Sequence, residues 1–140
     1  MKVREAMAKT ISTASPDDDI EQVARMMKQE DSGFIPITER NQLVGVITDR
    51  DIVIRCLAEG HGDVLHEKAR DVMSARQVHS ITPNEDLDKA AKIMQREAVR
   101  RLPVVEGGRL VGVLSLGNLV QAMHGEGPAK EATVGVTKGA

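Results

Sequence analysis

Apolar and polar positions follow the same order twice along this chain of 140 residues. Each half begins with a short extended stretch, continues with apolar residues at the three- and four-residue intervals of an amphipathic helix, and then has two short apolar runs separated by a turn. A second helical segment closes the half. In the first half the predicted elements are an extended stretch over residues 10–14, a helix over 15–29, strands over 34–38 and 43–48, and a helix over 49–59.

A constant offset of 67 residues relates the two halves (83 − 16, 103 − 36 and 112 − 45). The paired residues are Pro16 and Pro83, Pro36 and Pro103, and Gly45 and Gly112. A tandem duplication of this kind predicts two similar β-α-β-β-α units with paired binding sites. We place the first unit at residues 1–62, the second at 63–124 and a flexible tail at 125–140, where a Gly-Glu-Gly-Pro sequence breaks the last helix.

The amino-acid composition argues against nucleic-acid binding, membrane insertion and secretion. A net charge of −2 gives no general attraction to nucleic acid or anionic lipid, and one aromatic residue is too few to stack bases. No apolar run is long enough for a transmembrane helix or a signal peptide, and one cysteine excludes an intrachain disulfide. The sequence therefore predicts a soluble cytoplasmic protein that does not bind nucleic acid or membranes.

Catalytic and metal-binding patterns are missing from the sequence. It has no nucleophile elbow, no phosphate-binding Walker loop and no plausible Ser-His-Asp order. Cys56, His61 and His66 are too loosely spaced for a zinc site. We predict a protein that is not an enzyme and holds no metal.

The junction between the second strand and the second helix of each half is the best candidate for chemistry. Thr48 and Asp51 stand three positions apart at a predicted helix start, where free backbone N–H groups favour an anion. The hydroxyl and nearby amides could hold a phosphate, and the carboxylate could accept hydrogen bonds from two ribose hydroxyls. The alternative is that Thr48 or Asp49 only caps the helix and that Asp51 lies in the first turn, where its charge complements the helix dipole.

The repeated units resemble the CBS domain, named after cystathionine β-synthase. The resemblance rests on the leading segments at residues 3–7 and 69–73, the Ser/Thr-Pro pair, the apolar-Pro-Ile/Val strand and the Gly-x-x-Thr/Ser ending. It covers residues 3–123 and implies an α/β (α+β) fold of two units around a pseudo-twofold axis. Such pairs are regulatory, and many bind adenosine-containing ligands between their units. AMP, ADP, ATP, S-adenosylmethionine and NAD are the ligands that the resemblance suggests.

Carried over by the resemblance, Thr48 corresponds to a phosphate-side hydroxyl and Asp51 to a ribose carboxylate. Ser115 and Asn118 hold the same positions in the second copy. A neutral amide accepts hydrogen bonds from ribose hydroxyls less strongly than a carboxylate does, so we expect two unequal sites. The base would lie against the leading extended stretch and the Pro-bearing strand, near residues 10–13 and 34–36 in the first half and near 77–80 and 101–103 in the second. Arginines could reach ligand phosphates or lie in solvent. The further candidate ligand contacts are Ser12, Thr13, Phe34, Ile35, Pro36, Arg50, His79, Arg101, Leu102 and Pro103.

Two functions of different class remain open. One is a sensor of adenosine-type ligands that acts on a separate protein partner in trans. The other is a dimeric interaction module without useful ligand affinity. In both cases we expect a homodimer, because the helices carry more apolar surface than the cores of two small units need. The residues that carry this surface are Met26, Met27, Ile93, Met94, Leu119, Val120 and Met123.

Overall fold

The computed structural model of the chain describes residues 1–60, 62–76 and 78–123. Its contacts group the chain into two compact units. We call Ser12–Val78 the continuous unit, and Met1–Ile11 together with His79–Ala140 the split unit. The predicted tail at 125–140 lies outside the described residues.

Helices and strands follow the same order in the two units, which confirms the predicted mixed α/β class. The continuous unit contains α2 (Ile20–Glu30), β1 (Phe34–Glu39), β2 (Gln42–Thr48), α3 (Asp49–Asp51) extended by a π-helix (Ile52–Ala58), a 3-10 turn (Val64–His66) and α4 (Ala69–Val72). The split unit contains α1 (Val3–Ala6), α5 (Leu87–Glu97), β3 (Arg101–Glu106), β4 (Arg109–Ser115) and α6 (Leu116–Met123).

The long helix of each unit begins later than the Ser/Thr-Pro pair predicts. In the continuous unit the N-cap is Asp19, and the Asp18 N–H donates to the Ser15 carbonyl across a turn at 3.0 Å. The carbonyls of Pro16 and Asp18 instead accept hydrogen bonds from the backbone that begins α4. Because this segment is paired with another piece of chain, it cannot form a helical turn. In the split unit α5 likewise begins after Asp86.

Antiparallel hairpins follow both long helices, as predicted, and each strand is about one residue longer than its apolar run. The β1–β2 turn holds Arg40 and Asn41 at φ 53° and 66°, whereas the β3–β4 turn uses Gly107 and Gly108. The last residue of the second strand is paired with the first residue of the hairpin in both units. This register matters for the candidate site, because directly paired residues present their side chains on one face.

Each short leading helix packs in the unit of the other repeat. In the continuous unit, Ser74 after α4 pairs with Val46 of β2, and the Met73 thioether fills the space beside Gly45. In the split unit, Met7 after α1 fills the equivalent space beside Gly112. A Cβ at either glycine would overlap the methionine sulfur. The predicted boundary between residues 62 and 63 separates the two repeats of the sequence. In the structure, the leading segment of each repeat belongs instead to the unit of the other repeat.

Each unit has an apolar core of its own. The core of the continuous unit includes Ala14, Ile20, Val23, Ile35, Ile37, Ile47, Cys56, Ala69 and Val72. The core of the split unit includes Val3, Ile81, Leu87, Ala90, Met94, Leu102, Val104, Leu114 and Leu119. Among the described residues, no helix combines the length and apolar character needed to cross a membrane.

Candidate functional site

The junction of β2 and α3 is held by a reciprocal pair of hydrogen bonds. The Thr48 N–H donates to Asp51 Oδ2 at 2.9 Å, and the Asp51 N–H donates to Thr48 Oγ1 at 3.2 Å. This is a capping box, which satisfies backbone donors at the start of a helix. Thr48 and Asp51 therefore do cap the helix. The cap uses only one oxygen of the Asp51 carboxylate, and both side chains remain half-exposed.

Asp49 supplies a second carboxylate at this junction, which the sequence suggested only as a possible helix cap. The Asp49 N–H donates to the Gly33 carbonyl at 2.9 Å, and Asp49 Oδ1 accepts from the Arg50 N–H at 2.9 Å. The Asp49 carboxylate occupies the space that a Cβ at Gly33 would take. The residue in the left-handed conformation at the end of the preceding helix is Asp31, with φ 50°, whereas Gly33 has no positive φ. The position of Asp49 directly after a strand is the sequence signal that could have pointed to this contact with Gly33. The Arg50 side chain is exposed.

The other residues of the continuous unit that were predicted to contact a ligand differ in burial and in hydrogen bonding. Phe34 is the register partner of Thr48 and is half-buried, so it shares a face with the candidate site. Ile35 and Pro36 are buried in the core. The Ser12 hydroxyl donates its hydrogen to Glu30 at 2.6 Å, so in this arrangement it has no hydrogen left to donate to a ligand. Thr13 is exposed.

The equivalent junction of the split unit repeats the backbone geometry with neutral groups. The Ser115 N–H donates to Asn118 Oδ1 at 3.0 Å, and the Asn118 N–H donates to Ser115 Oγ at 3.0 Å. The Leu116 N–H donates to the Arg100 carbonyl at 2.7 Å, as Asp49 does to Gly33. An amide oxygen can thus replace the carboxylate in the cap without changing the bonds. It carries no charge to offer a ligand.

Around this second junction, the predicted contacts differ in charge. His79 Nε2 lies 3.4 Å from Glu97 Oε2, where the continuous unit has Ser12 and Glu30. The hydrogen bond from Arg96, helped by His79, lowers the pKa of Glu97. Arg101 is the register partner of Ser115 and is partly buried. Leu102 and Pro103 lie in the core.

Metal ligands do not converge in the part of the chain that the structure describes, where no three His, Cys, Asp or Glu residues could hold an ion together. The Cys56 thiol is buried, and burial, reinforced by Glu67, raises its pKa to about 11. The His66 ring lies 2.9 Å from Asp63 at the surface, and this contact raises the pKa of His66. His61 lies outside the described residues.

The duplicated units and their matched junctions are those of a tandem CBS-domain protein. A sequence model of the CBS domain matches residues 3–57 and 69–125, and the chain belongs to this family. The CBS domain-containing protein YhcV of Bacillus subtilis is 37% identical over 132 residues, which cover 94% of this chain and 92% of that protein.

Two solved structures show the same fold. The structure of Hypoxic Response Protein I with two coordinated zinc ions is 26% identical, with a TM-score of 0.81, and covers 89% of this chain and 100% of its own. The structure of CBSX2 in complex with AMP is 24% identical, with a TM-score of 0.75, and covers 86% of this chain and 94% of its own. Both structures support the fold, and the sequence model of the CBS domain confirms the family.

Proposed function

We propose that this chain is a regulatory module that binds an adenosine-containing ligand at the Thr48/Asp51 junction of the continuous unit. The observation that carries the proposal is that Asp51 has a carboxylate oxygen free to accept further hydrogen bonds. Its Oδ2 caps the helix, and among the described residues nothing is bonded to Oδ1. A half-exposed carboxylate with one free oxygen is a strong acceptor for vicinal ribose hydroxyls. The AMP complex of CBSX2 is consistent with this ligand class.

Ligand binding would regulate a partner in trans by favouring one of two arrangements of the module. A ligand can shift such an equilibrium only by the difference of its affinities for the two arrangements. AMP, ADP, ATP, S-adenosylmethionine and NAD all contain the adenosine group that Asp51 would recognise. We propose no enzymatic function, because the sequence carries no nucleophile elbow, no Walker loop and no plausible Ser-His-Asp order.

Asp51→Asn tests this proposal with a substitution that the chain already contains elsewhere. Asn118 makes the same cap in the split unit, so the variant should keep the hydrogen bond to the Thr48 N–H and lose only the charge. We expect adenosine binding, measured by calorimetry, to weaken by about 1.5–3 kcal/mol, the range for hydrogen bonds to charged groups. The matched control is Asn118→Asp. Equal affinity of Asp51→Asn and the unchanged protein would remove Asp51 from the site, and no binding of any adenosine ligand would favour an interaction module.

We further propose a homodimer, but through a different surface from the one first expected. Of the residues first expected there, Met94 and Leu119 are 5% and 6% exposed and belong to the core of the split unit, Val120 is 9% exposed, and Met123 is 50% exposed. Two apolar side chains of the π-helix are more exposed than these, since Val53 and Leu57 are 55% and 60% exposed. Burying them against a second copy would release about 25 cal/mol per Å². We expect sedimentation to show a dimer at micromolar concentration and Val53→Asp/Leu57→Asp to shift it toward monomer; a monomeric unchanged protein would refute the proposal.

A further inference from the structure

The Arg55 side chain joins the π-helix of the continuous unit to α4. Its Nη1 atom donates a hydrogen bond to the Val72 carbonyl at 2.7 Å, in partly buried surroundings. Val72 is the last residue of α4, so no N–H of that helix can bond its carbonyl. A guanidinium that donates to such a carbonyl makes a charge-assisted bond, which is stronger than a bond between neutral groups. Arg55 therefore ties the end of α4 to a neighbouring helix.

This tie closes a ring of contacts around β2. Ser74, just after α4, exchanges two backbone hydrogen bonds with Val46 of β2, at 2.9 and 3.0 Å. Thr48 ends β2 and caps the helical segment 49–58, which contains Arg55. The strand therefore holds α4 at one point and the start of the helical segment at another, and Arg55 joins the two. Supporting contacts of this kind fix the direction of a helix relative to its strand.

Asp51 lies between the two fixed points of the helical segment. It ends α3, and the π-helix follows directly, so Asp51 and Arg55 are four positions apart on one segment. π-Helices are rare, and most helical stability in proteins comes from tertiary contacts. Two such contacts of this π-helix are the burial of Cys56 in the core and the bond from Arg55. The position of the Asp51 carboxylate therefore depends on a bond made one turn further along.

The split unit lacks this tie, although the corresponding backbone contacts are present. Its leading segment pairs Ala8 with Val113 of β4 through hydrogen bonds of 2.9 and 3.0 Å. The residue equivalent to Arg55 is Ala122, which has no side-chain donor (122 − 55 = 67). The ring around β4 is therefore open at the point where Arg55 closes it around β2. The two junctions thus differ in how firmly their helices are held as well as in charge.

We infer that Arg55 is a positioning residue for the ligand site: its bond to the Val72 carbonyl fixes the helical segment that presents Asp51, and so raises the affinity of this site. In this role Arg55 acts through Asp51 and not on the ligand itself. A site whose groups are held in place before binding loses less conformational entropy when it binds. The inference rests on the proposed function in that it concerns the same site, and it adds a second cause for the inequality of the paired sites.

Hydrogen exchange on the full chain without ligand tests whether Arg55 fixes the junction. Arg55→Met removes the guanidinium and keeps a side chain of good helix propensity. We expect faster exchange both in α4 and at residues 48–51, because the tie joins these segments. The matched control is Arg25→Met, since Arg25 is an exposed arginine whose hydrogen bond, to Glu21 at 2.7 Å, stays within α2. Exchange at residues 48–51 that is the same in Arg55→Met and the unchanged protein would overturn the inference, whatever the ligand does.

Calorimetry with AMP tests the consequence for binding. We expect Arg55→Met to bind AMP about three- to tenfold more weakly, the scale on which residues away from a ligand alter its affinity. Arg55→Lys keeps a charged donor and should lie between Arg55→Met and the unchanged protein. Arg25→Met should bind AMP as the unchanged protein does. Equal or tighter AMP binding by Arg55→Met would overturn the positioning role, and tighter binding would show instead that Arg55 competes with the ligand for Asp51.

The two measurements separate the failure of this inference from the failure of the proposed function. If the unchanged protein does not bind AMP, the proposed function fails for this ligand, while hydrogen exchange still decides whether Arg55 fixes the junction. If AMP binding depends on Asp51 but exchange at residues 48–51 does not depend on Arg55, the proposed function stands and this inference fails. Thermal melting checks that each variant folds. Arg55→Gln replaces Arg55→Met if that variant does not fold, with the same expectations.

Discussion

The two helix-start junctions share their backbone hydrogen bonds but differ in charge. Thr48 and Asp51 in the continuous unit are matched by Ser115 and Asn118 in the split unit, and all four bonds are between 2.9 and 3.2 Å long. The cap therefore requires only an acceptor oxygen at its fourth position, and either a carboxylate or an amide supplies one. The cap does not need the charge of Asp51, which the proposed function assigns to ligand recognition.

A second difference between the junctions links two positions that are far apart in sequence. Gly33 and Asp49 in the continuous unit correspond to Arg100 and Leu116 in the split unit, with the same backbone bond at 2.9 and 2.7 Å. Only where Asp49 is present does a carboxylate fill the space beside the first residue of the pair. The glycine thus leaves room for the aspartate and is not needed for its own backbone angles, because Gly33 has no positive φ.

Gly33→Ala should have the largest effect on stability among the tests of this comparison. Its Cβ would overlap the Asp49 carboxylate, which is exposed and would have to turn into solvent and give up its bond to the Arg50 N–H, at a cost of about 1 kcal/mol. Asp49→Leu, which copies the split unit, should restore much of the loss in the double variant. Urea denaturation of the four proteins gives the coupling free energy directly.

The control for this cycle is Arg100→Ala, which removes an exposed side chain at the equivalent position. A surface change away from specific contacts should alter the free energy of unfolding by no more than about 0.5 kcal/mol. If Gly33→Ala cost the same with Asp49 or Leu at the second position, the overlap with Asp49 would not be the reason for the glycine.

The repeat pattern was enough to predict the fold class, the hairpins and the paired junctions. These features depend on neighbours in sequence, such as the periodicity of α2 or the apolar run that becomes β2. The helix starts were placed too early because Pro16 and Asp18 hydrogen-bond to the chain near α4, some 50 residues away. Local capping signals cannot reveal a competing partner at such a distance.

The candidate site was predictable in its residue types but not in its surroundings. Thr48 and Asp51 could be picked out by their spacing, while the space beside Gly33 depends on how the Asp49 side chain turns. The surroundings of Arg101 could not be foreseen either, because the sequence offers Glu97 and Glu106 as nearby partners, whereas the buried Nε of Arg101 has no acceptor among the described residues. Only the fold shows that Glu97 is engaged by Arg96 and His79.

The second test of the comparison concerns the end of the second helix in each unit. Cys56 on the π-helix is fully buried, whereas Met123, at the equivalent position of α6, is 50% exposed. Burial, with a smaller contribution from Glu67, raises the pKa of the Cys56 thiol from 9.0 to about 11. The folded chain therefore keeps this proton to a higher pH than the unfolded chain does.

This difference predicts a loss of stability at alkaline pH that comes from the continuous unit alone. Between about pH 9 and pH 11 the unfolded state binds fewer protons than the folded state, so the free energy of unfolding falls as pH rises. Below pH 9 both states are protonated and the effect vanishes, which makes it smaller than the overlap at Gly33 under ordinary conditions. Cys56→Ala should flatten this part of the profile in urea denaturation between pH 8 and 10.5, while Met123→Ala should leave it unchanged. Parallel profiles for Cys56→Ala and the unchanged protein would show that the thiol ionises alike in the folded and unfolded chains, and that its burial does not distinguish the two units in this pH range.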